Sequence, residues 1–471
     1  MKMLNIIFLL LVITISDGLL AQEAATSATD SPAAEVAPTV EKGPAAPAGT
    51  PETMTTQVAD QVQTEPVAAD STPADDPPGS DSSTPARSDA DTADMPVESI
   101  NLEQLLDIER SSAGTIGSHG IHLGQLDTEI YVGGYMWAAY YYAEKDDIYF
   151  KQNEDINTFD MHYFNLLVSA NIKDRVYPEL NLEHEHGYDF KMRTGQLDIR
   201  ISDLLIVRAG LFIVPFGYFN ENMANEYLTK VPRRPFVLTN AYIIPSNWSE
   251  TGIQLRGQYA FQNGGNVNYA VYLVNGLEQA GEENENGEVV AAEGGDIRSM
   301  RGNFRDLNDG DKSVGGRLGI SPILGLEFGF SAYSGAYTID GKQRLLMLGA
   351  DAHLHRGPLT IRTEYNHITQ QTSSADITRQ GYWATVAYKV LRNYLEPVVR
   401  WDHILFHDPD NDVRGTFSPE DNMKRLTVGL NYYPFPEDVP LLLVRTAYGF
   451  TWNKGTELDN DLFAVQVAIG F

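Results

Sequence analysis

The sequence predicts an all-β fold, a closed 16-stranded antiparallel transmembrane β-barrel, on three observations. The first is the final stretch, 461–471, which reads D-L-F-A-V-Q-V-A-I-G-F. Phe463, Val465, Val467, Ile469 and Phe471 fall on one face, and Leu462, Ala464, Gln466, Ala468 and Gly470 on the other. A period of two with one wholly apolar face is a strand, and this one runs to the last residue. The second is repetition: sixteen segments of about ten alternating residues, the length with which a tilted strand crosses a bilayer. The third is that tight links alternate with longer ones, as short turns on one side and extended loops on the other require. In hydrocarbon every backbone N–H and C=O must find a partner, so a sheet crosses a membrane only when it has no edges.

Taken in order, residues 1–21 read as a signal peptide. Lys2 precedes an apolar core over 6–15 that is too short to span a bilayer, with processing expected between 18 and 22. Residues 22–98 shift to Ala, Pro, Thr, Ser, Asp and Glu with almost no large apolar side chains. Such a segment cannot bury enough apolar surface to offset its ordering entropy, so a disordered acidic periplasmic segment is expected, either a spacer or a dispensable tail. Residues 99–126 are read as a short helix and linker: Leu102, Leu105 and Leu106 share a face, and Asn101 with Gln104 has capping-box spacing.

The barrel is assigned to 127–471. Its strands are expected at 128–142, 158–172, 176–186, 195–202, 204–214, 251–262, 266–276, 313–321, 325–339, 343–355, 358–370, 381–391, 394–406, 423–434, 440–452 and 461–471. The faces sort by chemistry. In the sixth strand Ile253, Leu255, Tyr259 and Phe261 oppose Gln254, Arg256, Gln258 and Gln262. The fourth sets Leu197, Ile199 and Ile201 against Gln196, Asp198, Arg200 and Ser202. A soluble barrel would turn its apolar face inward, but the polar faces carry too many charges for an interior of side chains alone, and a ring this wide leaves room for water. Tyr140, Tyr141 and Tyr142, then Tyr432, Tyr433 and Phe435, then Phe450 and Trp452, stand near strand ends, where amphipathic rings suit the headgroup level.

Composition excludes some functions. The formal net charge of -30 leaves no basic surface for a nucleic-acid partner. The absence of cysteine removes disulfides, thiolate metal sites and a lipid anchor on an N-terminal cysteine. No G-x-S-x-G, Walker loop, H-E-x-x-H or dinucleotide fingerprint occurs, so neither an enzyme nor a cofactor is expected.

The terminal alternation ending in Phe471 resembles that of bacterial outer-membrane β-barrel proteins. The resemblance implies that the barrel assembly machinery reads Phe471 as an assembly signal and that this strand pairs with the first to close the ring. The run G-L-F-I-V-P-F-G-Y-F-N-E, 210–221, resembles a segment of the phosphate-selective porins O and P, in which a strand ends in a Pro-Phe-Gly turn ahead of the third external loop. That likeness implies a homotrimer in the outer membrane, surrounded by its lipids, passing small solutes or ions, with basic residues at a constriction.

The loop at 216–250 corresponds by position to the loop that narrows such channels. It carries Lys230, Arg233 and Arg234, prolines at 232, 235 and 245, and large apolar residues costly to leave in water. An inward fold is the expectation and an outside lid the alternative. Parity places Arg200, Arg208, Arg256, Arg317, Arg362, Arg400, Arg425 and Arg445 on the water-facing side, where a guanidinium row would attract anions. Carboxylates including Asp198, Glu327, Glu396 and Asp402 share that side, so a mutually paired lattice stands as the alternative. The acidic loop at 277–312 reads as solvated. Asp408, Asp410 and Asp412 have calcium-like spacing but lack the glycine and glutamate of a calcium loop, leaving a weak candidate and a surface turn as the simpler reading. His184 with His186 and His353 with His355 share faces but fit strand ends better than a metal site. The expected function is passive diffusion of small hydrophilic solutes or ions, with an anion preference as the finer expectation. An outer-membrane lipid hydrolase and a structural or adhesive barrel with a plugged lumen are the alternatives.

Overall fold

The computed structural model describes residues 119–123, 128–147, 154–185, 189–223, 226–238, 243–245, 247–262, 264–283, 289–301, 311–407, 422–453 and 459–471. The expected signal peptide, the acidic segment, the helix near 101–110 and the aspartates at 408, 410 and 412 lie outside the described residues.

A short strand, β1 (His119–Leu123), leads into β2 (Thr128–Ala143), β3 (Ile156–Ile172), β4 (Val176–Glu185), β5 (Asp189–Ser202), β6 (Leu205–Ile213), β7 (Ser249–Ala260) and β8 (Asn266–Val274). A two-stranded ribbon follows, β9 (Glu282–Glu283) with β10 (Val289–Val290). The wall resumes with β11 (Ser313–Ile323), β12 (Leu326–Ala336), β13 (Arg344–Arg356), β14 (Leu359–Gln370) and β15 (Ile377–Tyr388). It ends with β16 (Leu395–His407), β17 (Met423–Tyr432), β18 (Leu442–Asn453) and β19 (Leu462–Gly470). Strands β2 to β8 and β11 to β19 pair antiparallel with their neighbours, β8 with β11 and β19 with β2, as a closed ring of sixteen.

Each expected strand has its counterpart, and the departures have local causes. The fourth begins earlier than expected, at Asp189, because the β4–β5 register shifts between Asn181 and Leu182. This bulge moves Phe190 and Met192 onto the outer face on even positions, while Leu197, Ile199 and Ile201 hold it on odd ones, so no single parity runs through the strand. The β3–β4 link is a tight turn in which Lys173 and Asp174 take φ of 55° and 52°. The Asn171 side chain steadies it by accepting from the Asp174 N–H at 3.0 Å. Strand β1 has no counterpart among the expected strands. It lies in the stretch read as linker and pairs with Thr128–Val132 of β2, the part of that strand beyond the reach of β19.

Leu255, Val271, Leu273, Phe330, Leu348, Val399, Val428 and Val467 form an exposed apolar band on the outer face. Tyr142, Tyr432, Phe435, Phe450 and Trp452 are also exposed, consistent with an interfacial girdle, but Tyr141 is fully buried and turns inward. Tyr433 also departs from the girdle, donating to Glu396 at 2.8 Å. Because the outer band faces lipid, Leu255→Arg is expected to cost about 2–4 kcal/mol if it lies near the midplane. Denaturant titration of the barrel folded into lipid vesicles reads this cost, and a loss under 0.5 kcal/mol, typical of an exposed surface change, would take that face out of the bilayer.

Candidate functional site

The third external loop, 214–248, packs inside the ring. Its neck is closed by the Val214 N–H donating to the Trp248 carbonyl at 2.9 Å, and Asn220 bridges both sides, donating to the Val214 and Trp248 carbonyls and accepting from the Trp248 N–H. The Pro-Phe-Gly turn leads into a short helix, α1 (Gly217–Met223). Gly217 has φ +68° and its Cα sits against Glu364, where a Cβ would lie 2.3 Å from the carboxylate, so only glycine turns the chain here. The Glu364 carboxylate then accepts from the Phe219 N–H at 3.1 Å.

Phe216, Phe219, Phe236, Val237, Leu238, Ile243, Ile244 and Trp248 pack against inward-facing Tyr333, Met347, Ile368, Trp383, Ile404 and Met423 in one buried cluster. Each such side chain removed from water contributes about 1.5–3 kcal/mol, which accounts for a loop this apolar folding onto the wall. Part of the fourth loop does the same, while its acidic residues Glu282, Glu293 and Asp296 stay exposed or half-buried. Leu277, Ile297 and Met300 join that cluster, and Arg379 donates to the Gly295 carbonyl at 2.7 Å.

The basic trio sits against wall groups. Lys230 reaches Glu396 at 2.9 Å. Burial lowers the Lys230 ammonium below its ordinary value, and the facing carboxylate only partly restores it. The Arg233 guanidinium lies 4.1 Å over the Tyr141 ring, and Arg234 donates to the Tyr163 hydroxyl at 2.7 Å.

The wall arginines divide into two groups. Arg362, Arg400 and Arg445 grip the loop backbone: Arg362 donates to the Leu228 carbonyl at 3.3 Å, Arg400 to those of Arg233 and Arg234 at 2.6 and 3.1 Å, and Arg445 to those of Tyr227 and Thr229 at 2.6 Å each. Arg425 belongs with them, stacking on Phe236 at 4.1 Å and bonding to Asp147 of the first loop at 2.8 Å. Asp402 completes the clamp, accepting from Arg400 at 2.7 Å and from the Phe236 N–H at 3.0 Å. The parity argument placed these side chains inward but gave no sign that loop carbonyls are what they meet.

The other group lines a cavity of about 770 Å³ at the turn end, bounded by β2 to β8, β11 to β13 and α1. There Arg208 forms a two-bond pair with Asp198 at 2.7 and 2.8 Å, and Arg317 reaches Glu327 at 3.0 Å and Asp351 at 2.7 Å. Arg256 stands 3.6 Å from Glu221 of α1, and Arg200 pairs with Asp203. The paired lattice therefore describes this wall, and Glu221 is a lining group that the strand pattern missed because a loop supplies it. His353, also in the lining, packs against Tyr218 with ring centroids 4.7 Å apart, His355 bonds Thr360 at 3.1 Å and His184 packs on Phe190 at 4.8 Å. Among the described residues no His, Asp and Glu cluster is placed to hold a metal ion.

No protein-family model matches the chain, and no characterised protein matches it in sequence. Solved structures do match in shape. The Acinetobacter baumannii outer membrane channel DcaP aligns at 10% identity over 73% of this chain and 97% of its own, with a TM-score of 0.47. The trimer form of OmpT, an outer membrane protein of Vibrio cholerae, aligns at 11% identity over 73% and 99%, with a TM-score of 0.48. OmpF of Salmonella typhi, in complex with daunomycin, aligns at 11% identity over 75% of this chain and all of its own, with a TM-score of 0.50. At that identity the likeness speaks to architecture, and the architecture is that of a bacterial outer-membrane barrel.

Proposed function

We propose that the chain is a non-catalytic outer-membrane porin through which small hydrophilic solutes and ions diffuse passively, along a lumen narrowed by the third external loop. The observation that carries this reading is the 770 Å³ cavity lined by charged and amide side chains inside a ring whose outer face is apolar. The loop crosses the interior above it, with Lys230, Arg233 and Arg234 as the constriction residues. An anion preference in this reading is weak, because each cavity-lining arginine has a carboxylate beside it and the field alternates in sign. The same reading makes the protein a homotrimer among outer-membrane lipids, inserted by the assembly machinery. Chemical crosslinking in outer-membrane vesicles, ending at a three-chain species, checks that part.

A second reading has an observation of its own. The third and fourth loops join the inner wall in a continuous apolar cluster, as they would in a structural or adhesive barrel with a plugged lumen. Planar-bilayer recording on purified protein separates the two: discrete open-channel steps support the porin, and a silent bilayer from demonstrably folded protein supports the plug. In a conducting protein, exchanging Arg233 and Arg234 for Glu removes two positive charges and adds two negative ones at the narrowing. The reversal potential in a salt gradient is expected to move toward cations, and an unchanged value would take the loop out of the path.

A further inference from the structure

Of the arginines that line the cavity at the turn end, three take their carboxylates from the wall and its turns: Arg208 from Asp198, Arg317 from Glu327 and Asp351, and Arg200 from Asp203. Arg256 does not. Its carboxylate, Glu221, is carried by α1 of the third loop, and the two stand 3.6 Å apart, beyond hydrogen-bond distance. Neither side chain makes a hydrogen bond among the described residues, and both line the cavity, 25% and 15% exposed.

The helix that brings Glu221 there is itself held. The Gly217 N–H donates to the Ser331 hydroxyl at 3.0 Å and the Phe219 N–H to Glu364 at 3.1 Å, while the buried Asn220 ties α1 to both sides of the loop neck. Glu221 is therefore delivered to one place over the wall. On that wall Arg256 of β7 and Arg317 of β11 are both register partners of Ala270 on β8, one from each side, and its methyl group fills little of the gap between them. Arg208 and Arg317 lie within reach of the Glu221 charge, as Asp198 and Glu179 lie within reach of Arg256.

We infer that Glu221 sets the ion selectivity of this passage, as a tethered carboxylate that occupies, beside Arg256, the place a small anion would take. An anion displacing Asp198 from Arg208 must break two bonds of 2.7 and 2.8 Å, whereas Arg256 presents a guanidinium fork with no hydrogen bond to lose. What opposes the anion at Arg256 is repulsion by Glu221 at close range. Conduction needs binding strong enough for entry and weak enough for exit, and a competitor fixed to the loop supplies that weakness. The inference rests on the diffusion reading and names the residue that decides which sign of charge the passage favours.

Glu221→Gln keeps the size of the side chain and removes its charge. In a planar bilayer under a potassium chloride gradient, its reversal potential is expected to move toward the chloride equilibrium potential, with the chloride-to-potassium permeability ratio up at least about twofold over wild type. Acetate carries the same group as the tethered side chain. Titrated calorimetrically into the folded barrel in detergent, it should bind Glu221→Gln at least about fivefold tighter than wild type. Adding Arg256→Gln to that variant should cancel both gains, and if the double Gln variant does not fold, Arg256→Lys in its place keeps the charge, loses the fork and should cancel most of the acetate gain. Absence of either gain in a conducting barrel, or gains that survive the loss of Arg256, would overturn the inference. The calorimetric arm does not depend on conduction. A bilayer silent for every variant with the acetate gain intact removes the passage and keeps the competition at Arg256, whereas a conducting barrel indifferent to Glu221→Gln keeps the passage and removes the selectivity residue.

Discussion

Replacing Arg400 and Arg445 together by Ala is expected to raise the single-channel conductance severalfold and to make it noisy. These side chains donate to the carbonyls of Tyr227, Thr229, Arg233 and Arg234, at distances from 2.6 to 3.1 Å, and so hold the middle of the third loop to β16 and β18. A hydrogen bond from a charged group contributes about 1.5–3 kcal/mol, and its removal leaves a carbonyl that must find water. Water reaches those carbonyls only if the segment lifts from the wall. The apolar cluster around Phe216, Phe236 and Trp248 opposes that by about 1.5–3 kcal/mol per side chain, so the loop should remain anchored at its two ends and move in its middle. Flicker between two conductance levels is the signature of such partial release. The corresponding double Lys variant keeps the charge and loses the fork, and should fall between wild type and the Ala variant. If the Ala variant conducts as wild type does, the loop does not set the narrowing and the clamp is only structural.

What the chain displays locally and what it does not are separated by the range of the contacts involved. Ile253 and Leu255 announce a lipid-facing face because hydrocarbon penalises any other residue there, so the period of two persists in the sequence. The same period breaks at Arg193 and Thr194, where a bulge spends one residue without changing face, and alternation therefore does not reveal the part of β5 before it. Parity set Arg317 and Arg445 on the same side of the wall and made them equivalent. Arg317 meets Asp351, 34 residues away and on a nearby strand, while Arg445 meets Thr229, 216 residues away on a loop. Nothing periodic records that second kind of partner. The apolar content of the third loop pointed to an inward fold, and its prolines to a stiff one, but the choice of β14 to β18 as the docking wall follows from Arg362, Asp402 and Glu396 acting together. The carboxamides of Gln196 and Gln254 were legible only as inward polar positions. That Gln196 faces Gly210 and Gln254 faces Arg208, each with a side-chain atom lacking a hydrogen-bond partner among the described residues, emerges only once β5, β6 and β7 are in register.

The closing seam gives the other large expected effect. Strand β19 pairs with β2 from Leu462 opposite Ala143 to Gly470 opposite Tyr135, and the ladder ends with Gly134 and Phe471 exchanging N–H to carbonyl bonds of 2.9 Å in both directions. A Cβ on Gly134 would stand 2.2 Å from the Asn165 carbonyl oxygen and 2.8 Å from the Phe471 ring. The first obstacle is backbone, so Gly134→Val must push β2 from β3 or twist the end of the ladder, and an opened ladder exposes N–H and C=O groups that hydrocarbon cannot satisfy. Folding into detergent or lipid without any other protein should therefore fail or fall at least tenfold in yield, read as loss of the faster-migrating folded band on unheated gels. Phe471→Ala separates closure from recognition. Its backbone still exchanges both bonds with Gly134, and the ring it loses is exposed and meets Phe164 at a centroid distance of 6.3 Å, so unaided folding should change little. If the terminal ring is what the assembly machinery reads, the same variant should accumulate poorly in cells while folding normally in isolation. Equal defects of Phe471→Ala in both settings would make the ring a structural part of the seam, and a folded Gly134→Val barrel would show that β2 and β3 tolerate a side chain at this position.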